Sequence, residues 1–150
     1  MANNITKHGD LITAVCAATL DAGKIIMSGD TSRWKFASHA DVALATQQAM
    51  ASNGVLALCT GISDVNEQTN GKTHYYSATF EFTWMHNGSD TSIKTYIPGV
   101  GQDVGDKAPV KALVMADKYN KIESLNLPRV DKSFEPDYDD KPKTVPAKKR

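Results

Sequence analysis

Residues 73–84, THYYSATFEFTW, decide the fold class of this chain. Apolar and polar residues alternate along the stretch, and this period of two is typical of a β-strand with one buried face and one face in water. The apolar positions are Tyr76, Ala78, Phe80, Phe82 and Trp84, and the alternating positions are Tyr75, Ser77, Thr79, Glu81 and Thr83. The pattern predicts a strand that packs on other elements through one face only.

Two further strands are predicted on either side of this one in sequence. Residues 55–65 form the first, and a turn follows in which Asn70-Gly71 is a strong hairpin signal. Residues 91–98 form the third, in which Ile93 and Ile97 oppose Lys94 and Tyr96. Pro98 is expected to close it, because proline cannot donate to a strand ladder. Short turns between consecutive strands predict an antiparallel meander.

Two helices are predicted before the strands. The first begins at the N-cap Asp10 and stops at Gly23, and the second begins with a capping box formed by Ser38 and Asp41 and stops at Asn53-Gly54. Helical spacing predicts that the first buries Leu11, Ile12, Val15, Cys16 and Thr19, and the second Val42, Ala45, Ala49 and Met50.

A third helix is predicted in residues 106–127, with Asp106 as its N-cap, Pro109 in its first turn and Pro128 as its end. One apolar stripe is expected to pack on the sheet: Ala112, Met115, Ala116, Tyr119 and Ile122. The predicted fold is α+β, with a three-stranded antiparallel meander (a β-β-β-α core) packed by helices, in a single domain at 1–127. Residues 128–150 hold four prolines and many charges, which predicts a disordered tail.

Composition excludes some classes of protein. No apolar run approaches the roughly 18 residues that span a bilayer, so no membrane partner is expected. The N-terminus lacks the pattern of a signal peptide, and Cys16 and Cys59 lie singly in apolar stretches, as buried free thiols do. These features predict a reducing cytoplasm.

Nothing in the sequence predicts catalysis, a metal or a cofactor. The glycines of PGVGQDVGDK, residues 98–107, match neither common phosphate-binding fingerprint, so this segment is interpreted as a flexible connection. The four histidines are scattered, and the acidic cluster Asp137, Asp139 and Asp140 lies in the predicted tail, which cannot fix a metal's geometry.

Basic and aromatic side chains are the remaining candidates for function. Cations follow a phosphate backbone, and planar rings stack on bases without reading their sequence. The candidate DNA-binding residues are Arg33, Lys35, Lys94, Tyr96, Lys107, Lys111, Lys118, Tyr119 and Lys121. Trp34 and Phe36 are interpreted as core anchors in preference to stacking platforms for bases, because an aromatic ring buries a large area. Residues 1–127 carry 10 basic and 12 acidic side chains, so any attraction to DNA must come from a local basic stripe.

Three stretches in this order resemble the Erf (essential recombination function) family of phage single-strand annealing proteins. They are RWKFASHADVALATQQAMASNGV from residue 33, the strand pair YYSATFEFTWMHNGSDTSIKTYIP from residue 75, and GDKAPVKALVMADKYNKIESLNLP from residue 105. In the last, Lys107, Ala108, Lys111, Ala112, Ala116, Lys118 and Tyr119 are similar to the family's signature helix. The resemblance covers residues 10–127.

The resemblance implies an ATP-independent protein that coats single-stranded DNA, assembles with itself into rings or filaments, and anneals complementary strands to duplex. Lys111 and Lys118 would then border a groove along which the DNA backbone runs. Two other functions stay open: a structural or protein-interaction module of a phage or bacterium that binds no nucleic acid, and a protein that protects single strands without annealing them.

Overall fold

The computed structural model describes residues 9–31 and 33–131, which form three helices and seven strands. In chain order they are α1 (Gly9–Ala22), β1 (Ile25–Met27), β2 (Gly29–Asp30), β3 (Lys35–Phe36), α2 (His39–Ser52), β4 (Val55–Asn70), β5 (Thr73–His86), β6 (Ser92–Asp103), α3 (Ala108–Ser124) and β7 (Arg129–Asp131). No helix in these two ranges is long and apolar enough to cross a bilayer.

The main sheet is the predicted antiparallel meander, with strand order β4-β5-β6. β5 lies at the centre, and all five of its alternating apolar residues are buried. The hairpin signal is also correct, because Asn70 pairs with Thr73 across a turn in which Gly71 has a φ of 60°. The α+β class and its three-stranded core are thus confirmed.

The helices cover the inner face of this sheet, which carries Phe80 and Trp84. α3 packs on β5 and β6 and forms one core cluster with Tyr76, Ala78, Phe80, Phe82, Ala108, Ala112 and Ala116. α1 and α2 enclose a second cluster with Trp84, Ile122, Leu125 and Leu127. The opposite face, called the outer face here, exposes Leu56, Leu58 and Tyr96.

The interpretation of residues 98–107 as a flexible connection is wrong for most of its length, and Pro98 does not close the third strand. β6 continues to Asp103, and Pro98 pairs with Thr79 inside it. Proline is tolerated there because β6 is an edge strand. Gly101 is buried because α3 crosses directly above it: a Cβ on Gly101 would overlap the carbonyl oxygen of Ala108. The glycines therefore allow a helix to approach a strand closely.

The boundaries of α3 differ from the prediction. Its N-cap is Lys107 rather than Asp106, and no side chain caps it. Pro109 lies in the first turn, as expected. The helix stops at Ser124, before Pro128, because Asn126 adopts a left-handed conformation with a φ of 46°. This turn of the chain places Leu127 in the core.

The buried face of α1 was predicted only in part. Leu11, Ala14 and Ala18 are buried, whereas Ile12 is 50% exposed and Cys16 is also exposed. Ala14 and Ala18 belong to the core cluster around Trp84, and at 3.6 residues per turn Ile12 and Cys16 lie on the opposite side of the helix. Asp10 lies inside the first turn of α1 rather than at its N-cap. Gly23 ends the helix as predicted, with a φ of 65°.

Cys59 is also exposed, contrary to the prediction of a buried thiol. It lies in β4, and α3 covers β5 and β6 but not this strand. Residues 63–70 of β4 are exposed on both faces for the same reason.

The predicted capping box of α2 is confirmed. The amide of Asp41 donates to Oγ of Ser38 at 3.1 Å, and the amide of Ser38 donates to Oδ2 of Asp41 at 2.8 Å. Val42, Ala49 and Met50 are buried as predicted. Ala45 is only half-buried, whereas Thr46 beside it is buried. The hydroxyl of Thr46 is satisfied there because it donates to the carbonyl of Val42 at 2.8 Å.

Asp41 also joins α2 to the segment after β1. Ser28 donates to its carboxylate through both its amide, at 3.0 Å, and its hydroxyl, at 2.6 Å. Partial burial opposes ionisation of this carboxylate, but the hydrogen bonds from Ser28 and Ser38 outweigh burial and lower the pKa of Asp41 from 3.8 to about 2.

Acid should therefore weaken the fold through Asp41. A carboxylate whose folded pKa is depressed stabilises the protein fully above its unfolded pKa, near 3.8, and loses this contribution as pH falls through about 2. We expect the free energy of unfolding to fall between about pH 5 and pH 2 more steeply in the parent protein than in Asp41→Asn. Urea titrations across this range measure the difference, and identical slopes would contradict it.

Two short strand pairs complete the described fold. β2 and β3 form a small antiparallel hairpin, and β1 pairs in parallel with β7. Ile26 lies opposite Val130, so strand pairing continues beyond the predicted domain end at residue 127. Residues 129–131 of the predicted disordered tail therefore form a strand. The rest of that prediction, residues 132–150 with Asp137, Asp139 and Asp140, lies outside the described residues.

Candidate nucleic-acid interface

A shallow groove of about 300 Å³ runs along the outward side of α3. Three of the predicted lysines lie on it, because positions 107, 111 and 118 fall on one side of a helix with 3.6 residues per turn. We call it the lysine groove, and it is lined by His39, Lys107, Val110, Lys111, Val114, Met115 and Lys118. Its apolar residues are accessible, since Val110 is 60% exposed and Met115 is 36% exposed.

Each lysine of the groove is held differently. Lys111 forms an ion pair with Asp103 and donates to the carbonyl of Gln102 at 3.1 Å. Lys118 donates to the carbonyl of Ala37 at 3.2 Å. Lys107 makes no ion pair with any residue of the described ranges. Within the described ranges, Lys111 is thus the one groove lysine paired with a carboxylate, Lys118 is anchored to a backbone carbonyl, and Lys107 has neither kind of contact.

Asp103 partly offsets the positive charge at one end of the lysine groove. A hydrogen bond from Lys111, reinforced by one from the amide of Gly105 at 2.8 Å, lowers the pKa of Asp103 below its ordinary value. The carboxylate therefore stays ionised at neutral pH. It fixes the position of the Lys111 ammonium group at the rim of the groove.

Lys121 and Tyr119 do not line the groove. Lys121 faces α2 and the start of β4, and it pairs with Asp117 at 2.7 Å. The same carboxylate lies 3.1 Å from Nε2 of His39. Tyr119 is half-buried against the core cluster that contains Trp84 and Ile122. The ammonium group of Lys118 lies 4.7 Å from the centroid of its ring. Its predicted role as a DNA contact is thus not supported by its position.

The hairpin β2–β3 presents basic and aromatic side chains to solvent beside the groove. Arg33 and Trp34 lie at its turn, and Trp34 is 61% exposed. Phe36 is 40% exposed, with its ring over Gly29. The interpretation of both rings as core anchors is therefore wrong, because this two-residue ladder has no layer to cover it. Ala37, which follows β3, receives the hydrogen bond from Lys118, so the hairpin adjoins that end of the groove.

Lys35 does not line the lysine groove and reaches β7 instead. Its ammonium group lies 2.7 Å from Oδ1 of Asp131, and this hydrogen bond raises the pKa of Lys35. The predicted cation therefore fastens the β2–β3 hairpin to the last described strand. Its position gives it a structural role at the edge of the interface.

Lys94 and Tyr96 lie on the outer face of the sheet, opposite α3. Lys94 pairs with Glu81 at 3.0 Å. This hydrogen bond raises the pKa of Lys94 and, together with one from Thr60, lowers the pKa of Glu81. Tyr96 is 59% exposed beside them. These two residues cannot share a groove with the lysines of α3, since the sheet separates them.

Among known proteins, no family model and no curated protein sequence matches this chain. The nine candidate DNA-binding residues can therefore be grouped only by where the structure places them. Lys107, Lys111 and Lys118 come together on the lysine groove, and Arg33 lies on the adjoining hairpin. Within the described ranges, no three His, Cys, Asp or Glu side chains converge to hold a metal ion.

Sequence reasoning missed four residues of the groove: His39, Val110, Val114 and Met115. Met115 was predicted to pack on the sheet, which is wrong, because it is 36% exposed and lines the groove. The valines were absent from the predicted stripe, and that absence is itself the signal, since apolar residues off the packing stripe of a helix must face solvent or a ligand. His39 carried no signal, because it reaches the groove only through the packing of α2 on α3.

Asn120 supports α3 from beneath and was also missed. It is fully buried, and its Oδ1 accepts hydrogen bonds from Nε1 of Trp84 at 3.2 Å and from the hydroxyl of Thr95 at 2.6 Å. Its Nδ2 has no hydrogen-bond partner in the part of the chain that the structure describes. One amide oxygen thus joins the helix to two strands.

Asn120→Ala is expected to lower the free energy of unfolding by about 3 kcal/mol, because the indole of Trp84 and the hydroxyl of Thr95 would stay buried without an acceptor. Urea unfolding followed by Trp fluorescence measures the loss. Ser124→Ala is the matched control, since Ser124 reaches the same oxygen only at 3.4 Å. A similar effect of both variants would show that Asn120 is not the joining residue.

Proposed function

We propose that this protein binds single-stranded DNA without nucleotide hydrolysis and anneals complementary strands, as its resemblance to the Erf family implies. It would do so as a ring or filament of identical subunits in the host cytoplasm, during phage homologous recombination. The lysine groove is the observation that carries this proposal: three cations border an exposed apolar floor at the position where the resemblance implies a DNA backbone.

The exposed ring of Trp34 adds support, because single-strand binding combines cations with stacking surfaces. The body of the protein has no net positive charge, so one subunit would neutralise only a few phosphates. Many subunits on one strand would supply the affinity, since each added subunit acts at a high effective concentration. Bases left exposed by contacts to the backbone would then pair with an incoming strand.

An annealing assay tests this proposal. Two complementary oligonucleotides carrying a fluorescence pair are mixed with the purified protein in the absence of ATP, and the rate of pairing is compared with a protein-free control. A large acceleration that declines with salt supports annealing. Binding without acceleration would leave a strand-protecting protein, and no binding at low salt would leave no role for the groove in DNA binding.

The outer face of the sheet supports a second candidate, a protein-interaction module. It exposes Leu56, Leu58 and Tyr96, and Glu81 and Lys94 neutralise each other at its centre. A face with apolar residues and no net charge suits a protein partner better than a polyanion. This candidate would gain support if the protein failed to bind DNA at low salt.

A further inference from the structure

The lysine groove has features that match a segment of the same chain. It combines three cations with the exposed side chains of Val110, Val114 and Met115, so a complementary ligand carries acidic groups next to apolar or aromatic ones. Residues 134–140, FEPDYDD, have this composition. Their four acidic residues are Glu135, Asp137, Asp139 and Asp140, and their two rings are Phe134 and Tyr138.

The last described residue is joined to the hairpin that adjoins the groove. Asp131 pairs with Lys35 at 2.7 Å, and Lys35 is two residues before Ala37, whose carbonyl accepts the hydrogen bond from Lys118. The chain therefore leaves the described fold at the β2–β3 hairpin, which adjoins the Lys118 end of the groove.

The length of the following segment is sufficient. The groove extends from Lys118 to Lys107, a distance of about 16 Å at 1.5 Å per helical residue. Nine extended residues beyond Asp131 span up to about 30 Å. The segment 134–140 can therefore cover the whole groove within one chain.

We propose that residues 134–140 bind the lysine groove of their own chain, with the acidic groups on Lys107, Lys111 and Lys118 and the rings on the valine and methionine floor. Two charged surfaces on one chain meet at high effective concentration, so weak contacts suffice. The consequence for DNA rests on the proposed function: the acidic segment would compete with phosphates for the same cations. Only a DNA strand bound by several subunits would then displace the segment from the groove.

Nuclear magnetic resonance on the full chain tests the contact itself. Cys16→Ser and Cys59→Ser remove the exposed thiols, and Tyr138→Cys carries a nitroxide label. We expect selective broadening of the methyl signals of the groove's valines and methionine at low salt. The broadening should disappear at about 1 M salt, where the screening length is about 3 Å. The methyl signals of Leu20 and Leu44, which are exposed on α1 and α2, serve as internal references.

The acidic groups are tested by Glu135→Gln, Asp137→Asn, Asp139→Asn and Asp140→Asn together, which should abolish the broadening. No selective broadening at low salt, or equal broadening after neutralisation, would overturn the proposal. Broadening in a mixture where label and isotope are on different chains would assign the segment to a second copy and overturn binding within one chain.

Affinity for single-stranded DNA separates this inference from the proposed function. The neutralised variant should bind several-fold more tightly than the parent. Its charge-matched control is Asp64→Asn, Glu67→Gln, Asp90→Asn and Glu123→Gln, which removes four exposed acidic groups elsewhere and should have a smaller effect. Broadening without any change in affinity would support binding of the segment but exclude the groove as the DNA site. Tighter DNA binding without broadening would overturn the contact.

Discussion

Gly101→Ala is expected to lower the free energy of unfolding by about 3 kcal/mol or more, at the upper end of the range for overpacked cores. The new Cβ would overlap the carbonyl oxygen of Ala108 and lie 2.8 Å from the amide nitrogen of Ala112. These atoms belong to the backbone of α3, so no side-chain rotation can relieve the contact. The helix must move as a unit, and its other contacts with the sheet would be lost with it.

The matched control is Gly61→Ala on β4, the other edge strand of the same sheet. Its Cβ would contact only the side chain of Glu81, at 3.4 Å from Cβ and 3.7 Å from Cδ and Oε1, which is close to ordinary van der Waals contact. We expect a change within about 1 kcal/mol, of either sign. Urea unfolding followed by circular dichroism compares the two variants, and equal stabilities would mean that α3 does not lie on β6 as described.

Removing all three cations of the lysine groove, by Lys107→Ala, Lys111→Ala and Lys118→Ala, is expected to reduce affinity for single-stranded DNA by about 100-fold at 0.1 M salt. Each phosphate contact contributes about 0.7 to the slope of log affinity against log salt concentration on single strands, so the slope should become shallower by about 2. Titrations of a labelled oligonucleotide at several salt concentrations measure both quantities.

A charge-matched control distinguishes the groove from a general effect of net charge. Lys24→Ala, Lys72→Ala and Lys94→Ala remove three exposed cations outside the groove, one of them on the outer face of the sheet. The control should keep more than about half of the parent's slope. An equal loss in both variants would show that the cations act without a defined groove, and a greater loss in the control would move the interface to another surface.

The sheet was predictable from sequence because its signal is local. The alternation along β5 and the Asn70-Gly71 turn specify strand, face and hairpin within a few residues. β6 beyond Pro98 was not predictable in this way, since Gly99 and Gly101 have no side chains and produce no period of two. Their function becomes visible only when α3 is in place above them.

The errors in the core have a similar origin. Ile12 and Cys16 are as apolar as buried residues, but at 3.6 residues per turn they lie on the opposite side of α1 from the buried Ala14 and Ala18. Asn120 was missed because a polar residue on a helix is normally assigned to the solvent side, and only the positions of Trp84 and Thr95 make its burial favourable.

The candidate interface was predictable in its residue types but not in its shape. Lys107, Lys111 and Lys118 share a helix, so their common side follows from spacing alone. The separation of Lys94 and Tyr96 from them depends on which face of the sheet α3 covers, and no sequence pattern gave that information. The exposure of Trp34, which makes its ring available for base stacking, depends on its hairpin having just two pairs of residues.

The parallel pairing of β1 with β7 has a consequence for synthesis on the ribosome. Ile25 is fully buried, and its strand partner is Arg129, more than one hundred residues later in the chain. Leu125 and Leu127, which complete the same core cluster, are also late residues. A nascent chain that has emerged only as far as β6 can form the sheet but cannot close the layer around α1 and α2. The core cluster around Trp84 can therefore be completed only after β7 has left the ribosome.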